Sequence, residues 1–117
     1  MPLARLELAM AACEFSIKRG ASFDLLVRLP SRFADGQFAG WVPTSQVRSD
    51  SGGLVAALDV EWTDVAVTRV LRLRKLDTSA WPVGQLWFDI CLESPDGVRV
   101  YTDSARFDVI RGMTEHG

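Results

Sequence analysis

The stretch Gly84–Gly97, "GQLWFDICLESPDG", decides the fold. Leu86, Phe88, Ile90 and Leu92 occupy alternate positions, with Trp87, Asp89, Cys91 and Glu93 between them. Side chains alternate across an extended strand, so this pattern predicts a strand with one buried and one outward face. Asp96 and Gly97 then turn the chain back into "VRVY", because glycine accepts the positive φ of a tight turn, which reads as a hairpin. Just upstream, Asp77 or Thr78 can cap one turn and Pro82 stops it, which predicts a single short helical turn near 77–81.

The same period of two recurs along the chain. Phe23, Leu25, Val27 and Leu29 share one face of "SFDLLVRLP". Leu54, Ala56, Leu58, Val60 and Trp62 read as the inward set of "GLVAALDVEW". Leu71 and Leu73 oppose Arg72 and Arg74, and Phe107 and Val109 oppose Arg106 and Asp108. Turn-forming clusters such as "KRGAS" and "SDSGG" separate the runs. Short strands at this spacing predict an all-β antiparallel sandwich of immunoglobulin-like type. Residues 1–12 are expected to be an N-terminal arm or first strand, with a helix also open for "LARLELAMAA". Residues 13–117 are expected to be one β-sandwich domain.

The 117 residues suit one domain with its own core. A formal net charge of -2 offers no basic excess for phosphate binding, so no nucleic-acid partner is expected. No apolar run is long enough to cross a membrane as a helix. Glu7 interrupts the N-terminal apolar stretch, which argues against a signal peptide. Cys13 and Cys91 lack metal-binding spacing and read as free thiols of a reducing compartment, a pairing being the alternative.

The search for chemistry gives no catalytic, cofactor or metal residues. His116 is the only histidine and lies next to the end of the sequence, far from any nucleophile and acid that a triad would need. Asp59, Glu61 and Asp64 could in principle form a hydrolytic carboxylate pair. The plainer reading places Asp59 and Glu61 on a solvated strand face opposite Arg72 and Arg74. No glycine-rich loop has phosphate-cradling spacing. Trp41 and Trp87 are the candidate interface residues. Three roles are open for such tryptophans: packing within the domain, a protein interface, or stacking on a sugar.

An ordered set of residues adds a resemblance. It comprises Lys18, Arg19, Gly20 and Phe23; Gly40 and Trp41; Gln46, Val47 and Arg48; Leu54, Val55, Ala56 and Leu58. It continues with Thr78, Trp81, Pro82, Gly84, Phe88, Asp89 and Ile90, then Pro95, Asp96 and Gly97. Together these resemble a family of small bacteriophage proteins similar to the N-terminal domain of siphophage upper baseplate proteins. Ala21, where the family has Asp, is a departure. The resemblance implies a non-enzymatic tail or baseplate component, present in several copies and contacting other virion proteins and copies of itself. It also implies a virion location after assembly in the host bacterial cytoplasm. The alternative expectation is a carbohydrate-binding module for a host surface glycan.

Overall fold

A computed structural model describes residues 15–113, which form eight strands and no helix. They are β1 (Phe15–Lys18), β2 (Phe23–Arg28), β3 (Val42–Ser49), β4 (Leu54–Trp62), β5 (Val70–Lys75), β6 (Gly84–Glu93), β7 (Arg99–Tyr101) and β8 (Ala105–Ile110). The strand order is β1-β8-β6-β3-β4-β5-β2, with β7 also paired to β6. Leu54–Leu58 of β4 pairs with β3, and Asp59–Trp62 pairs with β5. One strand therefore serves two layers. The larger layer holds β1, β8, β7, β6 and β3, and the smaller holds β5 and β2. This is an all-β, immunoglobulin-like sandwich, as the alternation predicts. One pairing departs from an antiparallel scheme: β1 runs parallel to β8, with Phe15 opposite Phe107.

The inward positions of β6 make the centre of the core. Leu86, Phe88, Ile90 and Leu92 are all buried, as are Leu71 and Leu73 of β5. Phe23 and Phe88 bring the layers together edge to face, with ring centroids 5.9 Å apart. Phe15 stacks on Phe107 at 5.1 Å, and the buried Trp81 lies against Phe23 at 5.7 Å. Each such ring removes a large apolar area from water, worth roughly 1.5–3 kcal/mol.

One local feature differs from the sequence reading. Arg48 pairs with Leu54 rather than Val55, so β4 carries one extra residue there. This bulge reverses the facing of the strand's first residue. Leu54, expected inward, is therefore 57% exposed. The segment near 77–81 makes the single turn expected of it. Trp81 N–H donates to Thr78 C=O at 3.0 Å, while Asp77 Oδ1 accepts from Ser79 N–H at 2.9 Å. Thr78 also acts over a longer range, since its buried Oγ1 accepts from Gly20 N–H at 2.9 Å and donates to Ala21 C=O at 2.5 Å. It thus ties the β1–β2 corner to the β5–β6 connection. The Pro95–Asp96–Gly97 hairpin is present, with Gly97 at φ 87°.

The long β2–β3 connection is held by Arg69. Its guanidinium donates to the carbonyls of Leu29, Pro30 and Phe33 and to Asp35 Oδ1. Residues 1–12, Cys13 and His116 lie outside the described residues, so the expectations for an arm, a first strand and those side chains fall there too.

Candidate functional site

Among the described residues, the candidate site is the outer face of the larger layer, along β6. Strand alternation sends Trp87, Asp89, Cys91 and Glu93 outward there. Register then sets their neighbours. Arg48 of β3 and Arg106 of β8 flank Trp87, and Gln46 lies opposite Asp89. Thr44 and Tyr101 flank Cys91, and Arg99 lies opposite Glu93.

The partner of β6 changes along its length. Gly84–Phe88 pairs with β8, whereas Cys91–Glu93 pairs with β7. The short link between β7 and β8 crosses at the level of Asp89 and Ile90. Thr102 seals its inner side: its Oγ1 accepts from Ile90 N–H at 2.9 Å, and its own N–H donates to Ile90 C=O at 2.9 Å. On the outer side, the face is hollow. A depression of about 450 Å³ is lined by Thr44, Gln46, Asp89, Cys91, Arg99 and Tyr101, among others. A smaller hollow of about 100 Å³ joins Asp89 to Trp87, Arg48 and Ser104. Asp89 borders both.

The electrostatics differ from group to group. Burial pushes the Asp89 carboxyl above the usual carboxylate range, partly opposed by the positive charge of Arg48. Arg48 itself is engaged elsewhere, donating to Gln46 Oε1 at 2.8 Å and Gly52 C=O at 2.9 Å. Arg99 pairs with Glu93 at 3.0 Å. The Tyr101 hydroxyl is pushed above the usual phenol range, chiefly by its hydrogen bond with Cys91. Cys91 is a half-buried free thiol.

Trp87 belongs to this face; Trp41 does not. Trp87 Nε1 donates to Asp50 Oδ1, and the Arg106 guanidinium lies 5.8 Å from its ring centroid. Trp41 sits at the other end of β3, packed edge to face on Phe38 at 5.2 Å. Its carbonyl accepts from Trp62 Nε1 at 3.2 Å. Seven positions of extended chain separate it from the level of Trp87, a span of about 23 Å. The two tryptophans therefore cannot form one site.

The carboxylates divide similarly. Asp59 lies opposite Arg74 and Glu61 opposite Arg72, the cross-strand arrangement expected from sequence. Arg72 also clasps Asp24 with two hydrogen bonds, at 3.0 and 2.7 Å. That hydrogen bonding holds the Asp24 carboxyl below its usual range. Asp64 is apart from them, its Oδ1 accepting from the N–H groups of Ala66 and Val67 at 3.0 and 3.3 Å. It shapes a turn. No group of three His, Cys, Asp or Glu residues able to hold a metal ion occurs among the described residues.

Sequence reasoning placed Asp89 and Cys91 outward without singling them out. The only available signal was two polar or reactive side chains in the outward register of a strongly apolar strand. The exchange of β7 for β8 beside them had no signature in residue order.

The fold and this outer face define an immunoglobulin-like sandwich with a polar, aromatic-edged hollow on one sheet. No family model and no curated protein matches the chain. Among solved structures, the fold is similar to that of CopC from Methylosinus trichosporium OB3b, with a TM-score of 0.51 and 16% identity over 88% of this chain and 89% of that one. At that identity, the likeness is one of fold. This neighbour is not a bacteriophage protein, and a likeness of fold gives the expected virion role no support. The expected role as a bacteriophage tail or baseplate component is accordingly withdrawn.

Proposed function

We propose that this domain is a non-catalytic recognition module that binds a protein partner through the outer face of β3, β6 and β7. The observation that carries this reading is the make-up of that face. Tyr101 and Arg99 line the larger hollow, Trp87 and Arg48 line the smaller one that meets it at Asp89, Arg106 flanks Trp87, and no lysine lies among them. Trp, Tyr and Arg are the side chains that dominate binding energy in protein interfaces, whereas Lys is depleted there. The hollow also has neighbouring side chains already fixed by hydrogen bonds, which lowers the entropy cost of binding.

A photo-reactive amino acid placed at Gln46 tests the reading in the organism that makes the protein. The expected result is one cross-linked protein, lost when Trp87→Ala is added, and absent when the probe sits at Arg74 on the opposite layer. Equal cross-linking from both layers would refute it. So would glycan binding that Trp87→Ala and Tyr101→Ala abolish, since that would make the face a sugar site.

A further inference from the structure

Asp89 is set apart by being half-buried without a salt bridge, whereas Asp59, Glu61, Asp96 and Asp108, also outside the ion pairs, are exposed. Asp24 and Glu93 each face a guanidinium within hydrogen-bond distance, and Asp35 is held by Arg69. None of the ion pairs among the described residues includes Asp89. Its carboxylate is half withdrawn from water at the junction of two hollows. The cations nearby are already engaged: Arg48 by Gln46 and Gly52, and Arg99 by Glu93. The Glu93–Arg99 pair cancels its own charge, and Arg48, bonded to neutral oxygens, acts on Asp89 only through space, so the Asp89 carboxylate at the floor of the hollow has no ion-pair partner. Around it stand the polar groups of Gln46 and Thr44 and the Tyr101 hydroxyl, with the Trp87 ring at the other edge.

A partly buried charge without a partner is unfavourable, and a cation brought into the same hollow relieves that cost. A flat guanidinium or an ammonium group also suits an aromatic edge. We infer that the hollow between Trp87 and Tyr101 takes a basic side chain, Arg or Lys, from the partner, with Asp89 as its counter-charge. This deepens the protein-recognition reading above and depends on the same face. It also fits the direction of the Asp89 carboxyl: desolvation is the leading influence on it, and a bound cation would oppose that influence.

The test is a titration of the whole domain with the peptide Ac-Gly-Arg-Gly-NH2, followed by amide nuclear magnetic resonance shifts. Saturable shifts are expected at Gln46, Asp89, Cys91 and Tyr101. Asp89→Asn should weaken them at least tenfold. Asp59→Asn, which removes the same charge from the other layer, should leave them unchanged. Equal responses in Asp89→Asn, no saturable shift at those amides, or the same response to Ac-Gly-Glu-Gly-NH2 would overturn the inference. The two readings fail separately. Peptide saturation without a cross-link from Gln46 removes the protein partner but keeps the cation pocket. A cross-link without peptide saturation does the opposite.

Discussion

Arg69 offers the sharpest test of how the irregular part of the fold is held. Its side chain is 19% exposed, and its donors reach Pro30 C=O at 2.7 Å, Leu29 C=O at 3.2 Å and Phe33 C=O at 2.5 Å. It also contacts Asp35, but that carboxylate is 70% exposed. Arg69→Met keeps the length of the stem and removes every donor. Hydrogen bonds to a charged group contribute roughly 1.5–3 kcal/mol each, and they are not additive. Pro30 is only half-buried and can regain water, so the expected loss is about 2–4 kcal/mol. For a domain of this size that lowers the midpoint of thermal unfolding by roughly 8–16 °C. Asp35→Ala removes only an exposed pair and should cost less than about 1 kcal/mol. Arg69→Lys should fall between the two, because an ammonium cannot reach three carbonyls in one plane. Urea unfolding of the three variants measures all of this. If Arg69→Met unfolds within about 0.5 kcal/mol of the parent, or if Asp35→Ala costs as much, the carbonyl clamp is not what holds the β2–β3 connection.

Three further outcomes are expected. Phe88→Ala opens a cavity among Phe15, Phe23 and Phe107 and should cost about 3–5 kcal/mol in denaturant unfolding. Gly36→Ala should destabilise more than Gly20→Ala. Both glycines have positive φ, but a Cβ at Gly36 would meet Ala66 C=O at 3.0 Å, whereas one at Gly20 meets nothing within 4 Å. Asp89→Asn should stabilise the protein at pH 7. Because burial raises the folded pKa of Asp89, its contribution to stability is fullest below the ordinary aspartate value of about 3.9 and is lost as pH rises through the folded value. The advantage of the asparagine variant should therefore shrink on acidification, and an advantage independent of pH would contradict the desolvation argument.

The sandwich was legible where one residue type alternated without interruption. Leu86 to Leu92 of β6 and Leu71 to Leu73 of β5 announced their faces correctly because both strands are paired on either side and keep a regular register. Asp59 and Glu61 were legible for the same reason, with arginines at matching spacing on the next strand. Leu54 was not, because an inserted residue changes facing without changing the local pattern of residue types. The parallel union of β1 with β8 was equally hidden, since it depends on a corner between layers rather than on β1 itself. At the candidate site, the sequence supplied Trp87 but coupled it with Trp41. Facing can be read along one strand; distance across a sheet depends on register, which joins residues far apart in the chain.

The union of β1 and β8 also has a mechanical meaning. In a parallel pair, the start of one strand and the end of the other lie at opposite ends of the ladder. Tension applied across Phe15 and Ile110 therefore slides the strands along each other and loads their hydrogen bonds together, instead of opening them one at a time. Pulled from those two points in a single-molecule instrument, the domain should hold until one abrupt release. Attachment at Ser45 and Leu58, which pair at the open end of the β3–β4 hairpin, should peel that ladder apart pair by pair at much lower force. The β1–β8 ladder is thus the part of the fold that resists shear between its two ends.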